Sequence, residues 1–377
     1  MNILHIAPIH SRKISGIRQN AINLARAQSR IDGTHVGVLI SSDDVEPWQA
    51  DELCIITRHA LLKKQREGSW VERIARAMFL PDLVVFHSTF VPFHAQIADE
   101  LKARGIPYVI CPRGGMTREA LAYKPWKKWL GRRIFFDSLV ANSAAIQYLT
   151  QGEFERSGDW GRPVIIAGNG IWPPDEASLA TPGSQPQRVF LFLGRLHIEH
   201  KGLDILIDAV TRCQAELRRN HVQVRIVGPD YQGSAAWLRQ QITRRAIGDL
   251  VILKGSVQGE AKSEEFRSAD LFLHISRWEG HPTAVLEALS YAVPVLITPQ
   301  TNVLPEVLAA GAGWGVTCDS ADAARELVRL SRVNPSLLAT AGRAARHYAV
   351  TELHWNRVAA KTLEKYRQIL RVVRRAA

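Results

Sequence analysis

Short apolar runs alternate with amphipathic stretches along nearly the whole chain. In the first half, Ile3–Ala7, Val36–Ile40, Leu53–Thr57, Leu83–His87, Tyr108–Cys111, Leu139–Ala141 and Val164–Ala167 have the length and branched or aromatic content of strands. Stretches with helical spacing lie between most of them, among them Ile17–Gln28 and Phe93–Ala103. A Pro-, Gly- and Ser-rich segment from Trp172 to Pro186 breaks the pattern and reads as a linker. The alternation then resumes with Val189–Leu193, Val222–Val227, Val251–Leu253, Leu271–Ile275, Pro294–Thr298 and Trp314–Thr317. Strands separated by helices imply parallel sheets covered on both faces. The chain is therefore expected to be α/β, with two doubly wound domains facing a cleft: residues 1–172, a linker over 173–187, and residues 188–351. The tail from Glu352 to Arg374 is a long helical stretch carrying Leu353, Trp355, Val358, Leu363, Tyr366, Ile369 and Leu370. It is expected to cross back onto the first domain, to which residues 352–377 are assigned.

Composition narrows the class. The 377 residues are enough for two domains with large cores. No run of eighteen uninterrupted apolar residues occurs, and the N-terminus lacks the basic start of a signal peptide and reads as a first strand. Cys54, Cys111, Cys213 and Cys318 are far apart and form no paired metal spacing. They read as reduced thiols, the first three within apolar core elements, and imply a cytoplasmic location. The net charge of +12 favours anionic partners. Nucleic acid is not expected, because zinc-finger spacings, aromatic RNA-binding signatures and basic recognition helices are lacking.

The most informative stretch is Trp278-Glu279-Gly280-His281-Pro282-Thr283-Ala284-Val285-Leu286-Glu287-Ala288. It follows an apolar strand interrupted only by His274, and Pro282 suits the first position of a helix over Thr283–Leu289. A strand turning into a helix across Gly and Pro leaves backbone N–H groups at the strand's C-terminal end, where a phosphate is favoured. One glutamate precedes the turn and the other lies inside the helix, so the two carboxylates can hold hydroxyls on either side of a phosphorylated sugar. A second segment, Gly194 to Gly202, follows the first strand after the linker. Ligands of open parallel sheets bind beyond strand C-termini, which places Arg195 and Lys201 to meet a diphosphate.

Weaker signals cluster in the first half. In Ser15-Gly16-Ile17-Arg18, the glycine either lets backbone approach a phosphate or eases a turn. His87 and Pro112-Arg113-Gly114-Gly115 end successive strands and are expected to face the cleft. The segment Tyr123–Phe136 mixes five basic residues and no acid with Trp126 and Trp129. It reads either as a helix lying on an anionic membrane surface or as one whose aromatics pack on the first domain. The chain has no Asp-x-Asp metal–nucleotide motif, no Walker loop and no Gly-x-Gly-x-x-Gly after a strand. A metal-dependent transferase and a nicotinamide-dependent oxidoreductase both lose ground.

Taken together, the Glu279/Glu287 motif, Gly194-Arg195 with Lys201-Gly202, Asn169-Gly170, His87 and Pro112-Arg113-Gly114 resemble the retaining glycosyltransferases of group 1 (family 4), over nearly the whole length. The resemblance implies a GT-B fold of two Rossmann-like domains and transfer of a sugar from a nucleotide-diphosphate sugar, with neither cofactor nor metal. It implies that Arg195 and Lys201 bind the donor diphosphate, that Glu279 contacts donor-sugar hydroxyls, and that Glu287 binds the ribose. Gly194, Gly280, His281, Pro282, Thr283, Ala284 and Val285 would complete the donor contacts, with Gly16 approaching the phosphates and the backbone near Val257 meeting the base. His87 would lie near the donor sugar, and Arg113 and Gly114 on the acceptor side. Where many relatives have two glycines this chain has Ser15-Gly16, and His281-Pro282 replaces the usual Phe-Gly or Leu-Pro. The expected acceptor is a lipid-linked saccharide of exopolysaccharide or surface polysaccharide assembly, with the enzyme cytoplasmic and peripheral at the inner face of the plasma membrane. The alternatives are a membrane glycolipid or small soluble acceptor, a non-catalytic nucleotide-sugar-binding protein, and an oxidoreductase.

Overall fold

The computed structural model describes residues 1–8, 16–41, 53–64, 67–123, 125–179 and 187–376. The chain divides into two units, Met1–Gly170 with Trp355–Ala377, and Ile171–His354. Of the linker expected over 173–187, residues 180–186 lie outside the described residues.

The first unit is built on seven parallel strands: β1 (Asn2–Ala7), β2 (His35–Ile40), β3 (Cys54–Thr57), β4 (Leu83–His87), β5 (Tyr108–Cys111), β6 (Ala145–Tyr148) and β7 (Val164–Ile166). Their order is β3-β2-β1-β4-β5-β6-β7. Ile3 pairs with Val36 on one side and Leu83 on the other, so the strand order reverses at β1 and β4. Both β4 (LVVFH) and β5 (YVIC) are buried throughout, as strands covered on both faces must be.

The helix Trp355–Ala376 packs on the helix Gly16–Ser29 within this unit. Its Leu363, Tyr366 and Leu370 join Val85, Val109 and Cys111 in one cluster, and the Tyr366 hydroxyl donates to Gln147 Oε1 at 2.5 Å. The tail helix expected from Glu352 is two elements: Pro335–Glu352 ends there, and a new helix starts at Trp355.

The second unit has six parallel strands: β8 (Arg188–Leu193), β9 (Val222–Val227), β10 (Val251–Lys254), β11 (Leu271–His274), β12 (Val295–Ile297) and β13 (Gly313–Gly315). They run in the order β10-β9-β8-β11-β12-β13. The reversal here lies between β8 and β11, where open α/β sheets receive their ligands. Among the described residues no helix is long and apolar enough to cross a membrane.

Three local expectations are corrected. Leu139–Ala141 is not a strand but the end of the helix Asp137–Ala141. Phe136, Leu139 and Val140 are buried at helical spacing, and the sixth strand position is filled by Ala145–Tyr148, which pairs with β5 and β7. Cys54 is exposed rather than in the core, because it opens the edge strand β3. Pro282 is the N-cap, in extended conformation, with Thr283 as the first helical residue.

Candidate active site

The loops after β8 and β11 meet at the reversal point of the second sheet. After β8, Leu196 is buried and anchors the chain, while Arg195 is exposed with its guanidinium 5.6 Å from the centre of the Tyr231 ring. His197 caps the one-turn helix Ile198–Lys201 by accepting the His200 N–H at Nδ1. That helix ends on Gly202, which sits at φ 60° against the end of β11, and a Cβ there would lie 2.0 Å from the Ile275 carbonyl oxygen. Only glycine fits this left-handed, crowded position, and it sets Lys201 against the β11 loop.

Glu279 receives Lys201. The Lys201 ammonium, the His274 Nε2–H (3.0 Å) and the Ser276 hydroxyl (3.1 Å) all converge on its Oε1. Among the described residues Oε2 takes no hydrogen bond. Burial alone would raise the Glu279 carboxyl; Lys201, with smaller contributions from His200 and His274, overrides it and holds the group well below the usual carboxylate range. Because the carboxylate accepts, His274 carries its proton on Nε2, and its Nδ1 is buried without a partner. Burial and the nearby Lys201 lower the His274 pKa, keeping the ring neutral. His200 stacks on Trp278 at 4.8 Å, donates to the Trp278 carbonyl at 2.8 Å and is lowered by burial to about 4.

Arg277 clamps the two loops together. Its backbone N–H donates to the His200 carbonyl (2.9 Å) and its guanidinium to the Glu199 carbonyl (2.7 Å). It also holds Asp204 through two parallel bonds of 2.9 and 2.6 Å. From the loop after β12, Asn302 donates to the Glu279 carbonyl at 2.5 Å while adopting φ 62°, a left-handed conformation that Asn tolerates. The helix Thr283–Ser290 has no side-chain cap and no acid in its first turn, so nothing within that turn offsets its positive end. Further along it, Glu287 is buried and its Oε1 accepts from Lys262 at 2.5 Å. Gly194, in the turn after β8, donates its N–H to the Val227 carbonyl at 2.9 Å. Gly280, His281, Thr283 and Ala284 are half-buried, Pro282 and Val285 are buried, and Val257 packs half-buried in the loop after β10.

The first unit has its own polar cluster beyond β4 and β5. Arg113 (φ 53°) donates through Nε and Nη2 to His87 Nδ1 at 3.1 and 3.0 Å, and through Nη1 to Asn169 at 2.9 Å. His87 Nδ1 is therefore unprotonated. Its Nε2–H donates to His5 Nδ1 (2.8 Å), and the His5 Nε2–H donates to Gln28 (2.8 Å). Burial, then the Arg113 charge, holds His87 well below its ordinary pKa, and burial brings His5 down to about 4. His87 is thus fully buried, neutral, and engaged at both nitrogens. The Gly114 N–H donates to the buried Glu153 carboxyl, which also accepts from the Leu149 N–H at 2.7 Å. Burial pushes Glu153 up to about 7, against these two bonds and Arg113. Gly16 opens the helix Gly16–Ser29, while Ser15 and the side chain of Arg18 lie outside the described residues.

Sequence reasoning paired Arg195 with Lys201 and Glu279 with Glu287, but missed their supports: His274, Ser276, Arg277 with Asp204, Asn302, and Lys262. His274 carried a signal, as the one polar residue in an apolar run. The long-range partners carried none.

Residues 177–348 match the family described as "Glycosyl transferases group 1". The chain is 25% identical over 388 residues to the GDP-mannose:cellobiosyl-diphosphopolyprenol alpha-mannosyltransferase of Xanthomonas campestris, covering 98% of this chain and 97% of that protein. Among solved structures it resembles Anabaena HepE in complex with UDP and glucose (TM-score 0.71, 19% identity, 98% of this chain and 100% of that one). It also resembles WaaG, a glycosyltransferase involved in lipopolysaccharide biosynthesis (TM-score 0.67, 17% identity, 96% and 99%). With two doubly wound parallel sheets and a C-terminal helix returned to the first, the chain has the GT-B fold, and its residues 177–348 match the glycosyltransferases of group 1 (family 4).

Proposed function

We propose that this glycosyltransferase moves a hexose from a nucleotide-diphosphate sugar to a hydroxyl of a lipid-linked saccharide, in assembly of an exopolysaccharide or surface polysaccharide, without a metal ion. The observation that carries the donor half is the Lys201–Glu279 pair, set at the reversal point of the second sheet, in the loop leading into the uncapped helix Thr283–Ser290. In this scheme Arg195 and Lys201 hold the diphosphate. Glu279 offers Oε2 to donor-sugar hydroxyls, and Glu287 offers its second oxygen to the ribose. Gly194, the segment Gly280–Val285, Val257 and Gly16 supply backbone contacts. Arg113 and Gly114 serve the acceptor side. His87, with neither nitrogen open, acts by fixing Arg113.

The acceptor half rests on the Xanthomonas relatives, whose name gives a GDP-mannose donor and a cellobiosyl-diphosphopolyprenol acceptor. The acceptor hydroxyl attacks the anomeric carbon on the face from which the diphosphate leaves. The carbon–oxygen bond to phosphate breaks as the glycosidic bond forms, and the released phosphate oxygen takes the acceptor's proton. Arg195, Lys201 and the helix start stabilise the charge that builds on the leaving group.

The test begins with thermal shifts against GDP, UDP, ADP and dTDP. A ligand at about 100 times its dissociation constant stabilises by roughly 2.7 kcal/mol. Turnover of GDP-mannose with a polyprenyl-diphosphate-linked cellobiose follows, with Arg195→Ala and Lys201→Ala expected to lose about 10²–10³ in rate. Variants that turn over within a few-fold of the wild type, or a melt unmoved by every nucleotide, would sink the proposal.

A further inference from the structure

The first unit leaves an apolar stripe uncovered. In the helix Pro125–Gly131 and the π turn Arg132–Phe136, Trp126, Trp129, Leu130 and Ile134 stand at i, i+3, i+4 and i+8. That spacing ordinarily marks the buried face of a helix. Here Trp126 is 65% exposed, Trp129 61% and Ile134 68%, with Leu130 also exposed. The core is served by a different residue: Phe136, at the end of the π turn, is fully buried and stacks on Phe90 at 4.3 Å. The wider π turn lets Phe136 face inward while the preceding turn faces water. An exposed stripe of large apolar side chains on one helix marks a binding face.

The charges around the stripe say what it binds. Lys127 lies 5.3 Å from the Trp126 ring centre and Arg133 5.5 Å from that of Trp129, so cations flank both tryptophans. Beside Trp129 opens a cavity of about 340 Å³, lined also by Leu121, Pro125, Lys128, Arg132 and Arg133. One acid, Asp137, shares this lining, and it is bonded to Arg132 at 2.9 Å. A protein partner would need a complementary acidic, apolar groove. A bilayer containing anionic phospholipid offers both elements at once: phosphates for the cations, and the headgroup boundary where tryptophan settles. We propose that residues 125–136 form a membrane-docking face, with Trp126, Trp129, Leu130 and Ile134 entering the headgroup boundary of an anionic bilayer and the cavity beside Trp129 receiving a lipid phosphate between Lys128 and Arg133. Of the two sequence readings of this segment, the exposed tryptophans favour the membrane one.

The test is co-sedimentation of the full chain with phosphatidylcholine vesicles and with vesicles of phosphatidylcholine mixed with phosphatidylglycerol. No nucleotide sugar or acceptor is present, so the outcome does not depend on the proposed reaction. The wild type should pellet with the mixed vesicles only, and less as salt is raised. Lys127→Glu/Arg133→Glu should weaken partitioning about tenfold or more, and Trp126→Ser/Trp129→Ser should weaken it even at low salt. All four side chains are at the surface, so thermal melts of both variants should match the wild type. Equal binding to neutral and mixed vesicles, or unchanged binding by both variants, overturns the proposal. So does self-association in solution that the tryptophan variant abolishes, which would assign the stripe to a second copy of the chain.

Discussion

Replacing Lys201 by alanine should destabilise the protein chiefly through the charge it leaves behind on Glu279. The two side chains are 13% and 11% exposed, and among the described residues Oε1 of Glu279 is otherwise met only by the His274 N–H and the Ser276 hydroxyl, with His200 Nε2 at 3.7 Å. Removing one member of a buried pair costs about 3–5 kcal/mol, because the remaining charge stays in a poorly solvating site. Two donors remain in place here and some solvent reaches the pair, which puts the cost near the lower end, about 3 kcal/mol at neutral pH. For a unit the size of Ile171–His354 that is a fall of roughly 6–12 °C in melting temperature. The pH dependence is more diagnostic. In the wild type the Glu279 pKa is depressed, so its contribution is present above the unfolded value and lost as pH falls through the folded one. Without Lys201, burial dominates and raises the group above its unfolded value. The variant should then recover stability on acidification from about pH 7 to about pH 5, a window in which this group leaves the wild type unchanged. Lys201→Ala/Glu279→Gln should regain most of the loss at neutral pH and show no such recovery. Thermal melts of the three proteins at both pH values decide the matter: if single and double variants melt together at pH 7, the buried charge is not the cause.

Other expectations follow from the same geometry. Gly202→Ala places a Cβ 2.0 Å from the Ile275 carbonyl oxygen at φ 60°, and should cost more than about 1 kcal/mol and weaken nucleoside diphosphate binding, as thermal shift and titration would register. Arg277→Lys loses the two-point hold on Asp204, and should raise the KM for donor without unfolding the protein, a split that steady-state kinetics resolves. Glu153 has a pKa raised to about 7, so its contribution is full below the unfolded value and is lost as pH rises through about 7. Glu153→Gln should remove that decline, which denaturant titrations across the interval would show. Tyr366→Phe leaves Gln147 Oε1 without its buried donor and should cost about 1–3 kcal/mol in melts of the full chain.

The alternation of apolar runs revealed both sheets because a parallel strand covered on two faces has no polar alternation to obscure it. It misread Leu139–Ala141 because three apolar residues in a row satisfy either period, and only the burial of Phe136 with Leu139 and Val140 reveals the helix. The loops after β8 and β11 were legible because strand ends followed by Gly, Pro and charged residues have few structural uses. Their supports were not. Arg277 lies 73 residues from Asp204 in the chain, and Lys262 lies 25 from Glu287. No local spacing distinguishes such partners from solvated surface charges. The chain of neutral rings from Arg113 through His87 and His5 to Gln28 was hidden for the same reason, since each link joins residues distant in sequence.

The convergence of three donors on one oxygen of Glu279 bears on how the proposed donor would be accommodated. Lys201 is paired in the structure, so a diphosphate entering beside it competes for that ammonium with the Glu279 carboxylate. The competition favours the diphosphate, which carries more than one negative charge, but only if Glu279 is not left stranded. His274 and Ser276 reduce that cost without removing it, because their bonds to Oε1 do not depend on Lys201. The His274 Nε2–H points at the carboxylate in its neutral form, so it brings no second positive charge that would hold Glu279 back from a sugar hydroxyl. In the proposed scheme Oε2 would accept from that hydroxyl as Lys201 moved its interaction to the phosphate, so that the sugar would replace part of the stabilisation the carboxylate gives up. On that proposal, a Lys that pairs first with protein and then with ligand would link donor binding to the placement of the sugar: the group proposed to stabilise the leaving phosphate would become available as the carboxylate took up the hexose. The link predicts a specific asymmetry. Glu279→Gln frees Lys201 and should tighten binding of a bare nucleoside diphosphate, while weakening discrimination for the nucleotide sugar over it. Calorimetric titration of both ligands against wild type and variant measures this directly, and parallel losses for the two ligands would show that Lys201 and Glu279 act independently.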